Sequence, residues 1–206
     1  MGSILRRNHR KKREKGKRKW QKKPLCAKKP RFFREEAMKT IYFAGGCFWG
    51  TQRFFDQFGG VKSTVVGYAN GKTENPSYQD VCGGSGHAET VKVEYDEKLL
   101  PTQKLIGYYF KAIDPLSVNQ QGCDCGIQYR TGIYYTDETL IPEIVAAVNN
   151  EKSLLGENAA KFAVEVKPLE NFYPAEEYHQ KYLVKNPNGY CHLPLELFCI
   201  AMKEKE

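Results

Sequence analysis

The sequence predicts an α/β (α+β) sandwich in which helices cover a mixed sheet, and three observations lead there. Strand-like and helix-like stretches alternate along the chain in the order β-α-β-β-α-β-α-β followed by a last helix, about five strands and four helices, without an internal repeat. Hydrophobic residues make up 41% of the chain and aromatics 13%, which is enough to build a core. The length of 206 residues allows one ordinary domain plus a tail.

The tail comes first. Residues 1–37 are a Lys/Arg tract with two prolines and almost no apolar partners, a composition that predicts disorder. The catalytic candidates all fall in a second region, 38–206. Its first strand is Thr40–Ala44, followed by Gly45-Gly46-Cys47 and a helix whose aromatics Phe48, Phe54, Phe55 and Phe58 share one face. Val61–Tyr68, rich in β-branched residues, reads as the second strand. Gly, Asn, Pro and Ser dominate Ala69–Gly86, which predicts loop with one helical turn near Tyr78. From Ala88 to Tyr95 the alternation of Val91, Val93 and Tyr95 with Thr90, Lys92 and Glu94 predicts a strand. Leu105, Ile106, Tyr109, Phe110 and Ile113 recur at helical spacing, and Asp114-Pro115 stops that helix. The polar stretch Leu116–Tyr129 is long for a loop in a compact domain, and such loops are usually functional. A strand over 131–136, a helix over 137–155 stopped by Gly156, a strand over 163–167 and a helix over 175–185 complete the order. The turn-rich end, from about 186 to 206, is expected to be mobile.

The formal charge of +8 hides a division. Residues 1–40 hold 17 Lys/Arg against 3 Asp/Glu, and residues 41–206 hold 15 against 21, so the body is acidic at −6 and the tail basic at +14. A basic tail can bind nucleic acid non-specifically through phosphates, but it lacks the interleaved aromatics that stack bases. No apolar run is long enough to cross a membrane, and no apolar segment follows the basic start as a secretory signal requires. A cytoplasmic, monomeric protein is expected. Seven cysteines, at 26, 47, 82, 123, 125, 191 and 199, form no regular framework, so reduced thiols and transient disulfides are expected rather than structural bridges.

Cys47 follows a glycine turn and opens a helix, where unpaired amides and the positive end of the dipole favour a thiolate. A reactive cysteine fits this position, and so does a small buried apolar residue. Glu89 begins a strand after a glycine-rich loop; in an apolar pocket beside Phe48 and Trp49 it would hold its proton near neutral pH, whereas at an exposed loop end it would not. Tyr78 and Tyr129 lie at element ends, where their hydroxyls can reach a developing oxyanion. Asp124 stands between Cys123 and Cys125, and with His179 and His192 these suggest a metal set, but paired Cys-x₂-Cys spacing is absent and no metal is expected. Cys191, in a glycine-rich segment, suits a resolving thiol that swings toward an oxidised partner, and Cys199 offers a second. A cysteine hydrolase would need a histidine base, and His87, His179 and His192 have no triad-like context in the sequence.

Taken in order, Gly45-Gly46-Cys47-Phe48-Trp49-Gly50, Tyr68-Ala69-Asn70-Gly71, Asn75-Pro76-Ser77-Tyr78, Gly86-His87-Ala88-Glu89, Gln128-Tyr129-Arg130 and Asn186-Pro187-Asn188-Gly189-Tyr190-Cys191 resemble the peptide methionine sulfoxide reductases of the A class over about Met38 to His192. The resemblance implies a ferredoxin-like sandwich and reduction of the S epimer of methionine sulfoxide, free or in proteins, a repair reaction of oxidative stress. It implies that Cys47 attacks the sulfoxide sulfur, Phe48 and Trp49 hold the methyl group, Glu89 protonates the oxygen with Tyr78 and Tyr129 bonded to it, and Asp124 orders the site. The resulting sulfenic acid would condense with Cys191, and thioredoxin, or dithiothreitol in its place, would restore the thiols without a cofactor. Cys123, Cys125 and Ile127 depart from the pattern, and the two extra thiols read as tolerated neighbours because the loop lacks the positive charge that activates a thiolate.

Overall fold

The computed structural model describes residues 1–2 and 38–200, so the basic tail expected to be disordered lies outside the described residues except for Met1 and Gly2. The elements are β1 (Met38–Gly45), α1 (Phe48–Phe55), β2 (Val61–Ala69), α2 (Tyr78–Cys82), β3 (Ala88–Asp96), α3 (Thr102–Ala112), β4 (Gln120–Gln121), β5 (Asp124–Cys125), β6 (Thr131–Tyr135), α4 (Ile141–Leu155), β7 (Glu165–Pro168), β8 (Phe172–Pro174) and α5 (Tyr182–Lys185). Short 3₁₀ turns lie at Ile127–Tyr129, Glu138–Leu140, Gly156–Lys161 and Leu195–Cys199.

The first two crossovers, β1-α1-β2 and β3-α3-β6, place four strands in the order β6-β1-β3-β2 with every neighbour antiparallel. This is the ferredoxin-like arrangement. β7 adds to it parallel to β6, and β8 adds antiparallel to β2, which makes the six-stranded sheet mixed. One row of the sheet runs Ile133, Phe43, Val91, Val66, all fully buried. The Phe43 ring lies between Phe55 of α1 and Tyr109 of α3, stacked on each at a centroid distance of 4.8 Å. Burying one such aromatic stabilises the fold by about 1.5–3 kcal/mol, so this contact pins both helices to the central strand.

Three stretches depart from expectation. The helix expected over 175–185 is only the single turn α5. Ahead of it, Phe172–Pro174 is an edge strand, and residues 175–181 are held out of a helix by side chains that satisfy backbone groups: Gln180 accepts from the Val66 N–H at 3.0 Å and donates to the Val66 and Ala175 carbonyls, while Gln52 accepts from the Lys181 N–H at 2.7 Å. Lys181 itself has φ 53°, which ends any helix coming from before it. The helix expected from Asp137 starts as a 3₁₀ turn, with Asp137 accepting from the Thr139 N–H at 2.9 Å, and becomes α-helical only at Ile141-Pro142, where proline needs no donor. The loop 116–129 contains the two-residue ladder β4/β5. Residues 186–200 dock on the body, with Leu193 buried in the core, and 201–206 lie outside the described residues.

Candidate active site

The strand-to-helix turn that carries Cys47 is built by Gly46, whose φ of +75° a side chain resists and whose added Cβ would lie 2.6 Å from Cβ of Gln121. Cys47 occupies the N-cap of α1 and is 6% exposed. Its sulfur makes no capping hydrogen bond, but the backbone N–H groups of Trp49 and Gly50 lie toward it. Those amides lower its pKa, but burial and the nearby Glu89 carboxylate raise it more, and the thiol stands well above its ordinary 9.0. A helix start is worth at most about 2 kcal/mol to an anion, and removal from water costs an ion more, so burial wins. Burial thus opposes the thiolate that the helix start favours.

Glu89 shares the strand parity of Val91, Val93 and Tyr95 and so faces the apolar side of the sheet, where it is 1% exposed. One carboxylate oxygen accepts from the Phe48 N–H at 3.0 Å. Burial outweighs that bond, Asp124 adds to it, and the carboxyl is pushed up from 4.5 to about 8. Glu89 is thus an acid at pH 7.

Tyr78 begins α2, whose start is fixed by a capping box between Ser77 and Asp80, and its N–H donates to Glu176 Oε1 at 2.9 Å. Tyr129 ends the 3₁₀ turn after Gly126, and Arg130 anchors that turn by donating to the Ile127 and Asn70 carbonyls and to Glu165. The Tyr78 and Tyr129 hydroxyls bond each other, and burial followed by the Glu89 charge raises both well above 10.0, which keeps them donors.

Phe48 is 1% exposed, against Tyr68 and His179. Trp49 is half-buried; its Nε1–H donates to His179 Nδ1 at 3.0 Å and its ring stacks on Tyr182 at 3.8 Å. The sequence singled out neither Tyr182 nor Glu176, and it gave His179 only a doubtful place in a metal set. No helical spacing marks them: Tyr182 opens α5 and His179 lies in the turn before it, and the bend at Lys181 sets both beside the same indole.

Asp124, on β5, accepts from the Tyr190 hydroxyl at 3.1 Å, and this bond holds the C-terminal segment over the site. Cys191 is half-buried, its thiol raised by burial, with Sγ 3.1 Å from where a Cβ on Gly50 would stand. Cys199 is exposed in the Leu195–Cys199 turn, and Cys82, Cys123 and Cys125 are exposed as well. Of the metal set suggested by the sequence, only Asp124 and His192 come together, and they do so around Cys47: one donor atom from each of the three lies within 4.8 Å of the others. Closed zinc sites take four donors with bonds of about 2.0–2.3 Å, a tighter tetrahedron than these three residues form. Although His192 has no triad-like context in the sequence, the fold brings it to Cys47 from 145 positions later in the chain.

The chain is similar in sequence to the peptide methionine sulfoxide reductase MsrA of Clostridium acetobutylicum, 55% identical over 161 residues that cover 78% of this chain and 98% of that protein. The MsrA of Lachnoclostridium phytofermentans is 57% identical over 160 residues, 75% of this chain and 92% of its own. In structure the chain is similar to Mxr1 of Saccharomyces cerevisiae in reduced form, with a TM-score of 0.70 at 36% identity over 77% of this chain and 92% of that one. Methionine sulfoxide reductase A of Corynebacterium diphtheriae gives 0.70 at 36% over 75% and 77%. The family model described as peptide methionine sulfoxide reductase matches residues 39–206, which takes in each of the residues gathered around Cys47, and the chain belongs to that family of oxidoreductases.

Proposed function

We propose that the protein reduces the S epimer of methionine sulfoxide, free or within proteins, with Cys47 as nucleophile and Glu89 as acid. The observation that carries this reading is a buried carboxyl with a pKa of about 8, held 3.0 Å from the amide next to the nucleophile. A sulfoxide oxygen leaves only when protonated, and an acid poised near neutral pH supplies that proton best. As the Cys47 sulfur bonds to the sulfoxide sulfur, the thiol proton passes to the Glu89 carboxylate that the first transfer creates, so Glu89 ends protonated as it began. The oxygen ends on Cys47 as a sulfenic acid and the sulfide departs. Tyr78 and Tyr129 donate to the oxygen as charge develops on it. The Trp49 indole, backed by Phe48, forms the apolar contact for the methyl group, and Asp124 orders the segment that bears Tyr190.

Cys191 is the resolving thiol in this reading, since it already approaches the first turn of α1. Thioredoxin then reduces the disulfide, and no prosthetic group takes part. Six unpaired cysteines among the described residues suit a reducing, cytoplasmic setting, and one chain supplies every residue named, so a monomer suffices. The test is Cys47→Ser with an S-sulfoxide and dithiothreitol: turnover should vanish, and retained activity would remove the assignment. In Cys191→Ser, one methionine per chain should still form while thioredoxin-linked cycling stops.

A further inference from the structure

His192 stands beside Cys47 and takes no part in the oxidation step above. Both of its ring nitrogens are buried and neither makes a close hydrogen bond, the Gly45 carbonyl exerting only a weak pull on the ring. A buried polar group left unpaired costs about 1–3 kcal/mol, which calls for a reason. The ring rests on Gly46, just before Cys47, and Gly50, in the first turn after it: a Cβ on Gly46 would lie 3.3 Å from Nε2, and one on Gly50 would lie 3.0 Å from Nδ1 and 3.1 Å from Cys191 Sγ. One ring nitrogen, the Cys47 sulfur and an Asp124 oxygen fall within 4.8 Å of one another. The imidazole therefore lies among both thiols, with a carboxylate alongside.

We propose that His192 is the acid–base group of the disulfide-forming step, taking the proton of the Cys191 thiol and delivering it to the hydroxyl that leaves Cys47. This rests on the reading that Cys47 becomes a sulfenic acid and that Cys191 resolves it. In the step the S–H bond of Cys191 and the S–O bond of Cys47 break, an S–S bond forms, and one water leaves. The Cys47 sulfur is reduced by the electron pair that Cys191 gives up, so no other oxidant or reductant enters. Burial raises the Cys191 thiol, which makes a base necessary; it also holds the imidazole below 6.5 against the pull of Asp124, which leaves a nitrogen free to accept. The ionisable groups that face the ring are Asp124 from β5, Cys47 from the start of α1 and Cys191 beside it, while Gln121 and Gly122 contribute no charge. Asp124 makes no hydrogen bond to the ring, but its negative charge alongside favours the imidazolium that forms once the proton is taken.

The experiment mixes the reduced full-length protein with stoichiometric S-methionine sulfoxide without external reductant. Methionine release and the Cys47–Cys191 disulfide, mapped by mass spectrometry, are followed separately in time. His192→Asn is expected to release one methionine per chain but to form the disulfide about 10²–10⁴-fold more slowly. His192→Ala should do the same, with the disulfide rate restored in proportion to added imidazole, which a packing role would not produce. Disulfide formation in His192→Asn at the wild-type rate overturns the proposal. So does the absence of imidazole rescue, or loss of the methionine burst in these variants. Failure of the underlying reading shows elsewhere: wild type itself would give no burst, or its disulfide would not join residues 47 and 191.

Discussion

At Glu89 two effects compete. Loss of water disfavours the carboxylate, and the Phe48 N–H at 3.0 Å favours it. One hydrogen bond to a charged group contributes about 1.5–3 kcal/mol, and the carboxyl still ends raised from 4.5 to about 8 with that bond in place, so burial outweighs it and the neutral acid prevails at pH 7. The donor state is lost as pH rises through about 8. The rate of the first methionine release in a single turnover should hold steady at neutral pH and fall above pH 8. Glu89→Gln should be slowed about 10²–10⁴-fold and lose that fall, because an amide has no proton to titrate. A quenched-flow pH series checks both, and an unchanged rate in Glu89→Gln would take the acid role from this residue.

The turn between β1 and α1 and the segment that covers it form one assembly, and its two glycines report on different halves of the reaction. Gly46→Ala places a side chain at φ +75° and 2.6 Å from Gln121, which should cost about 1–3 kcal/mol in urea unfolding and slow methionine release by moving Cys47. Gly50→Ala suits a helix better, but its Cβ meets Cys191 Sγ at 3.1 Å and His192 Nδ1 at 3.0 Å. That variant should keep the methionine burst and form the disulfide roughly tenfold more slowly, read as the loss of free thiols. Local sequence announces part of this assembly. A glycine pair between a strand and an aromatic-faced helix is a signal within a dozen residues, and Glu89 could be placed on the buried face because Val91, Val93 and Tyr95 share its parity. What it does not announce depends on distant chain. The edge strand Phe172–Pro174 is three residues long and forms only because β2 offers a free edge, and the turn at 175–181 is set by Gln180 reaching back to Val66. His192 has no neighbours in sequence that mark it, and its meeting with Cys47 and Asp124 exists only once Tyr190 and Leu193 have docked.

Across the whole molecule these buried groups write opposing pH dependences into stability. His87, His179 and His192 are held below 6.5 by burial, so each favours unfolding as pH falls through its ordinary value and is neutral in both states only about a pH unit above it. Glu89 acts the other way: between 4.5 and about 8 the unfolded chain has lost this proton and the folded one retains it. With fewer protons bound in the unfolded state, unfolding free energy must decrease as pH rises through that interval. Cys47 does not offset this, because its thiol ordinarily titrates near 9.0 and is raised further in the fold. Just above pH 6.5 the unfolded histidines still shed protons and oppose Glu89, whose own contribution is at most about 1.4 kcal/mol per pH unit and shrinks toward pH 8. The difference between wild type and a chain without this carboxyl therefore isolates it, at roughly 1.5 kcal/mol from pH 6.5 to 8. Urea denaturation of the reduced protein at half-unit steps should show wild type losing that much stability relative to Glu89→Gln, in which the histidines act alone and stability rises. A difference that stays level over this interval would mean that Glu89 is ionised in the fold, and would take with it the neutral acid that the reduction requires.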